Sequence, residues 1–374
     1  MKKTRQNVER ATRAIVDFGA VSHNVGEIRK KIGKKRGLMA VVKADGYGHG
    51  AVEVSKAALR SGADSLGVAL PEEGQRLREA GINVPILVVG LIQPEEAYKV
   101  AKFRLSQAIA SVELLEALDY EAGKASTRIN VHVKVDTGMG RVGVNPDDAV
   151  SFVRKVMDFR NLNLEGIFSH FSSADERYKT FSNRQLQLFN QVINSLQLAG
   201  IEVPKKHMAN SAAVLDFPQS YYDMVRPGIA ICGLYPSREV KRSIKLKPAM
   251  TFKTKISQVK VVPPGTPISY GRTFVTKEKT MVATLPVGYG DGYNRLLSNR
   301  GEVLIKGHRA PVIGTICMDM CMVDVSSVED VRPGDEVVLF GEDLPVDEIA
   351  TKIGTIVYEV VCAVNKRVPR IYVK

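Results

Sequence analysis

Cysteine is scarce in this chain. Four are scattered over 374 residues, Cys232, Cys317, Cys321 and Cys362. None forms a CxxC pair, so neither a zinc ribbon nor a redox dithiol is indicated. So few cysteines in so long a chain do not make a disulfide framework, and reduced thiols are expected. Long apolar runs are also missing: none nears the roughly 18 residues that span a bilayer. The basic N-terminus, MKKTRQNVERATRA, is followed by no apolar h-region. It therefore does not read as a secretory signal, and a cytoplasmic address is expected. No internal repeat or low-complexity tract is evident.

Charge of one sign is in excess, 53 Lys and Arg against 40 Asp and Glu, a net +13. The basic residues are spread along the chain, and no nucleic-acid motif accompanies the densest cluster, Arg29 to Arg36. We expect a solvated basic surface that favours small anions, and neither nucleic acid nor membrane as partner.

The chain does show alternation. Phe18, Val21, Val25 and Ile28 recur at helical spacing. Short apolar runs then alternate with amphipathic stretches, the runs being Leu38–Val42, Ser65–Ala69, Pro85–Val89, Leu105–Ala110, Ile129–Val135, Leu164–Ser169, one ending near His207, and Asp223–Arg226. About eight such units predict a parallel (β/α)8 barrel, with a doubly wound open sheet as the alternative. After the charged connector KRSIKLKP the pattern becomes short Val/Ile/Thr-rich runs between Pro and Gly turns, an antiparallel β signature. The expected division is a barrel over residues 1–240 and a mostly β domain over 241–374. The first 15 or so residues are assigned as an option to the β domain.

The stretch VVKADGYGHG places Lys43 at the C-terminal end of the first barrel strand, the end where such barrels build active sites. Taken alone, such a lysine is most often one that reaches out to solvent. In a low-dielectric mouth, however, desolvation favours the neutral amine, a nucleophile toward aldehydes such as pyridoxal phosphate (PLP). A phosphate needs donors. Asn210 and Ser211 follow the seventh strand at a helix start, and Arg226-Pro227-Gly228-Ile229 follows the eighth. The loops after strands seven and eight are the usual phosphate site of this fold, and Gly228 would let backbone approach closely.

The segments VVKADGYGHG, VHVKVDTGMGRVG, FSHFSSAD, ANSAAVLDFP, MVRPGIAICGLYPS, ISYGRTFV, LPVGYGDGYNR, GTICMDM and VYEVVCAVNKRVPRIY resemble, in order, the signature segments of the alanine racemase family. The resemblance covers nearly the whole chain. It implies PLP-dependent interconversion of L- and D-alanine by two bases, supplying D-alanine for peptidoglycan. Lys43 would hold PLP and serve one face of the substrate. Tyr270, delivered by the other subunit of a homodimer, would serve the opposite face. By the same resemblance Arg226 faces the pyridine nitrogen and His170 hydrogen-bonds Arg226. Arg141 contacts the cofactor's phenolic oxygen and the substrate carboxylate. Lys134 matches a lysine that is often carbamylated, and a carbamate there would hold Arg141. Tyr47 and Tyr358 match the tyrosines on the phosphate. Tyr289, Cys317, Met318 and Asp319 match the partner side of the entrance, where Met318 offers a backbone N–H. Gly46 and Gly290 stand where the family often has alanine, and Val361 where proline is frequent. The alternatives are a broader racemase acting on serine, a barrel-type PLP decarboxylase, and a non-catalytic PLP carrier built from the barrel alone.

Overall fold

The computed structural model describes residues 10–374. The chain forms two compact units. One is Ala20–Lys247, and the other comprises Pro248–Lys374 with the described residues up to Gly19. The first strand, β1 (Arg13–Asp17), belongs to the latter.

Eight parallel strands close the first unit into a barrel: β2 (Gly37–Val41), β3 (Ser65–Val68), β4 (Ile86–Val88), β5 (Ser106–Ile109), β6 (Ile129–Lys134), β7 (Leu162–Phe168), β8 (Lys205–His207) and β9 (Met224–Val225). Closure sets Gly37 beside Met224 and Leu38 beside Val225, which excludes the open sheet. Every residue of β3 and of β5 is buried. These strands are lined inside by side chains and covered outside by helices, and for that reason they read as unbroken apolar runs. The helix Phe18–Ile32 buries Val21, Val25 and Ile28 of the expected stripe and adds Ile32, while Phe18 is half-buried, and its last turn carries Arg29, Lys30 and Lys31 where the helix dipole favours cations. Thr180–Leu198 does the same with Leu186, Phe189, Val192 and Leu196. Phe189 is fully buried, and truncating it to alanine would cost about 3–5 kcal/mol. One irregularity matters for the site: the β6–β7 register passes from Val131–Leu164 to His132–Gly166, so Glu165 is bypassed in a bulge.

The second unit is a nine-stranded sheet in the order Gln258–Val262, Thr280–Leu285, Cys321–Asp324, His308–Ile313, Glu302–Ile305, Glu336–Phe340, Met250–Lys255, β1, Arg370–Val373. Strand β1 runs antiparallel to Met250–Lys255 and parallel to Arg370–Val373. Its Ala14 and Val16 are fully buried while their neighbours are half-buried, the period-2 pattern of a strand with one covered face. The sequence reading assigned no strand here. Five residues give little periodicity, and both partners, Met250–Lys255 and Arg370–Val373, are distant in sequence.

Candidate active site

Lys43 opens the turn Lys43–Tyr47 just beyond β2. After it, Ala44, Asp45, Gly46 and Tyr47 all adopt left-handed backbone, with φ of 51°, 55°, 62° and 53°. For residues with a Cβ this costs about 1–2 kcal/mol each, and only Gly46 is exempt. Such strain persists where the surroundings over-determine it, and here they do. Glu73 Oε1 accepts from Ala44 N at 2.6 Å, and its Oε2 accepts from Ala69 N at 2.7 Å, so one carboxylate ties together the turns after β2 and β3. Asp45 accepts from Ala51 N at 3.0 Å through its side chain and from Gly50 N at 2.8 Å through its carbonyl. The turn leaves Lys43 half-buried and Tyr47 buried.

In the loop after the neighbouring strand β9, a Cβ built on Gly228 would fall 2.1 Å from the Tyr47 hydroxyl. Ser211 Oγ accepts from Gly228 N at 2.8 Å and from Ala230 N at 3.3 Å, so its own hydrogen points elsewhere. Asn210 Oδ1 caps the following helix by accepting from Ala213 N at 3.0 Å. Gly228 was expected to let backbone approach closely, and what comes close to it among the described residues is the Tyr47 side chain. The missing side chain of Gly228 seats the Tyr47 ring, and its N–H fixes Ser211. Ile229 begins the buried 3-10 turn that follows.

Arg226 is buried inside the barrel. Its Nη1 donates to His207 Nδ1 at 2.8 Å, and its Nη2 faces Ser169 O at 2.8 Å, with His170 Nδ1 and Met208 O each at 3.2 Å. Burial pushes the guanidinium down to about 9, which still leaves it charged at neutrality. Burial first, and then neighbouring cations, push His170 and His207 well below the ordinary imidazole value. The expected His170–Arg226 contact is present, but His207 lies closer to Arg226. The sequence marked His207 only as a strand end. Lys134 is buried with its ammonium 4.6 Å from the Phe168 ring centre. Burial, then Arg226 and Arg141, push it well below the usual lysine range. Arg141 is exposed, at the end of a loop gathered by Asp136 Oδ1, which accepts from the N–H groups of Gly138, Met139 and Gly140 at 2.9, 2.8 and 3.1 Å.

In the second unit Tyr270 lies on a short 3-10 turn, 73% exposed, between Ser269 and Gly271, which have positive φ. Thr315 Oγ1 donates to the Tyr270 carbonyl at 2.9 Å, and the Ser269 hydroxyl lies 3.4 Å from Cys317 Sγ. Tyr289 N donates to Cys317 O at 3.1 Å, and Gly290 N to Met318 O at 2.9 Å. Tyr270, Tyr289, Cys317 and Met318 are thus brought together by backbone and short side-chain bonds. Asp319 pairs with Arg367 at 2.7 Å, and Arg367 in turn binds the fully buried Asp291 at 2.8 Å. Arg367 and Asp291 escaped the sequence reading, since an isolated arginine in NKRVP carries no signal. Tyr358 lies on the helix Val357–Cys362 of this unit.

Comparison with known proteins decides the family. The alanine racemase N-terminal domain profile matches residues 16–236, and the C-terminal domain profile matches 249–372. The chain is 47% identical to the alanine racemase of Halothermothrix orenii over 98% of each chain, and 48% identical to that of Desulforamulus reducens over 96% of this chain and 98% of the other. The chain belongs to the alanine racemase family.

Solved alanine racemases share the fold. The enzyme of Clostridium difficile 630 superposes with a TM-score of 0.94 at 38% identity, covering 98% of this chain and 97% of that one. The Bacillus anthracis alanine racemase with bound L-Ala-P gives 0.93 at 35% identity, covering 99% and 96%. A family match to the second unit separates the chain from a barrel-only carrier. In an alanine racemase frame Gly46 also has a local reason, because it is the one residue of the left-handed run that bears no strain there. Gly290 is fitted to its neighbours: a Cβ would stand 2.5 Å from Arg367 Nη2.

Proposed function

We propose that this protein is an alanine racemase that interconverts L- and D-alanine with PLP bound through Lys43. The observation that carries the reading is the strained turn at the barrel mouth. It aims Lys43 from the end of β2 and seats Tyr47 on Gly228, while Arg226 is buried in the same barrel. The donor set fits a phosphorylated pyridine aldehyde. An amine is present for the carbonyl. The Tyr47 and Ser211 hydroxyls lie beside the loop after β9 for the phosphate. Buried Arg226 serves the ring.

When bound, PLP withdraws electrons from the substrate α-carbon and so makes its C–H acidic. The protein then has to move protons and hold groups. The Lys43 amine would take or give the α-proton on one face. Tyr270 would do so on the other. Its exposure in a single chain suits delivery into a partner's site, so the working form is a homodimer with shared sites. Arg226 gives up no proton to a ring nitrogen, because a guanidinium keeps its protons in a protein. This keeps the electron sink weak and favours return of the proton to the same carbon. Arg141 orients the substrate carboxylate. A carbamate on Lys134 would turn a buried amine among cations into an anion that holds Arg141 by a charge-assisted bond. Met318 supplies a backbone N–H to the carboxylate, with Tyr289, Cys317 and Asp319 around it, and Tyr358 joins Tyr47 at the phosphate. No helix of the described residues is long and apolar enough to cross a membrane, in keeping with a cytoplasmic enzyme making D-alanine for peptidoglycan.

Purified protein incubated with L-alanine should yield D-alanine, and borohydride should trap a pyridoxyl group on Lys43 and abolish turnover. Mixing Lys43→Ala with Tyr270→Ala chains should restore part of the activity. No D-alanine from the PLP-loaded protein would overturn the reading, and no rescue in proven heterodimers would overturn the shared site.

A further inference from the structure

A polar chain inside the barrel begins at Arg226 and leads away from the site. A guanidinium has no acceptor, so Arg226 Nη1 is the donor in its 2.8 Å bond to His207 Nδ1. That nitrogen must carry a lone pair, which puts the hydrogen of His207 on Nε2. His132 Nδ1 lies 2.8 Å from it. By the same logic the hydrogen of His132 sits on Nε2, which donates to Glu165 Oε2 at 3.0 Å. Both histidines are therefore neutral and locked in one tautomer. Burial, which lowers both, agrees. The His132 bond, aided by Lys205 at 2.7 Å, holds Glu165 down to about 2, so it is ionised.

Two backbone features admit this chain. Gly166 and Phe168 stand opposite His132 and Lys134, and strict alternation would send residue 165 outward. The bulge instead returns its carboxylate to His132. Gly166 must lack a side chain, because a Cβ there would fall 2.3 Å from His132 Nδ1 and 2.9 Å from Lys205 O. The Glu165 end opens on a cavity of about 330 Å³ bordered by Gly37, Ser65, Ser106, Lys205 and Met224. These are the first residues of five strands, so the cavity is at the end of the barrel opposite Lys43. The chain cannot pass a proton to Arg226, which accepts none. It can transmit charge and orientation.

We propose that Glu165 and His132 are positioning residues that act through His207 to hold the Arg226 guanidinium, so that a carboxylate at the far end of the barrel sets the hydrogen bonding of the cation at the cofactor end. This rests on the reading of Arg226 as the group that faces the PLP ring.

The test uses PLP-loaded protein with nitrogen-15 in its histidines. His132 and His207 should appear as neutral Nε2–H imidazoles throughout about pH 6 to 9. Glu165→Gln keeps an acceptor oxygen toward His132 but removes the charge. It should preserve both tautomers, shift the absorption band of the bound cofactor, and lower kcat about tenfold while leaving KM for alanine within about twofold, a smaller loss than a full ångström of misplacement can cause. Gly166→Ala should displace the His132 ring, change both histidine signals and lower kcat similarly. A Nδ1–H or doubly protonated signal from either histidine would refute the proposal. So would a parental cofactor spectrum and kcat in both variants. A parent protein that takes up PLP but does not racemise alanine would refute the assigned function, and the tautomer spectra would then still decide the chain.

Discussion

Replacing Gly228 with alanine tests the site where geometry is tightest. The new Cβ would meet the Tyr47 hydroxyl at 2.1 Å and ring carbons at 2.7 and 2.9 Å, where ordinary contact begins at 3.4 Å. Tyr47 must therefore retreat by more than about 1 Å. It is only 6% exposed and sits on the left-handed run that follows Lys43, so its displacement reaches Lys43 through the backbone. Overpacking of this kind costs about 1–3 kcal/mol. Each 1.4 kcal/mol felt by cofactor binding weakens it tenfold, so PLP affinity should fall by roughly ten- to a hundredfold. The assay is a PLP titration followed by absorbance, with thermal unfolding measured with and without the cofactor. The expected result is weaker binding and a smaller stabilisation by PLP. Binding within about twofold of the parent, with Tyr47 unmoved in a crystal structure, would show that Gly228 and Tyr47 do not form the phosphate corner.

Lys43→Ala should leave the fold intact and lose both borohydride trapping and racemisation, read by peptide mapping and a D-alanine assay. Intact mass should show a carbon dioxide adduct that maps to Lys134, and bicarbonate depletion should lower activity; a bare amine at full activity would remove the carbamate from the account. Stability should fall as pH drops below the ordinary imidazole value of 6.5. Burial lowers His132, His170 and His207 in the folded protein, so the unfolded chain takes up protons there first. Three such groups set a limit of about 4 kcal/mol per pH unit, measurable by denaturant melts between pH 7 and about 5. Glu165, lowered from 4.5 to about 2, acts in the next window: its contribution is present above 4.5 and lost as pH falls toward 2, and Glu165→Gln should flatten that part of the curve.

Much of the fold was legible because its signals are local. Strands such as β3 and β5 are buried throughout and show as apolar runs, and the helices Phe18–Ile32 and Thr180–Leu198 show their stripes at helical spacing. Lys43 and Arg226 could be placed at strand ends because those can be read from where the runs stop, whereas His170 came only from the family resemblance. Tyr270 was placed by motif, and what the motif could not convey is that it rides a strained, exposed turn rather than a strand. Residues His207, His132, Glu165 and Glu73 went unassigned. A lone histidine or glutamate in a strand or helix start looks the same whether it points into solvent or into a chain of hydrogen bonds.

The amino-acid order alone determined alternating parallel strands and helices ahead of a β-rich region, a lysine at a strand end, and glycines where backbone must turn. These depend on the chemistry of neighbouring residues. Closure into a barrel rather than an open sheet was seen in the strand pairing. Only the tertiary structure decided that Arg13–Asp17 joins the sheet of the second unit, that Gly228 is a seat for Tyr47, and that a bulge turns Glu165 toward two histidines and an arginine. Those depend on distances between segments far apart in the chain, which closure of the barrel and pairing of the sheet impose all at once.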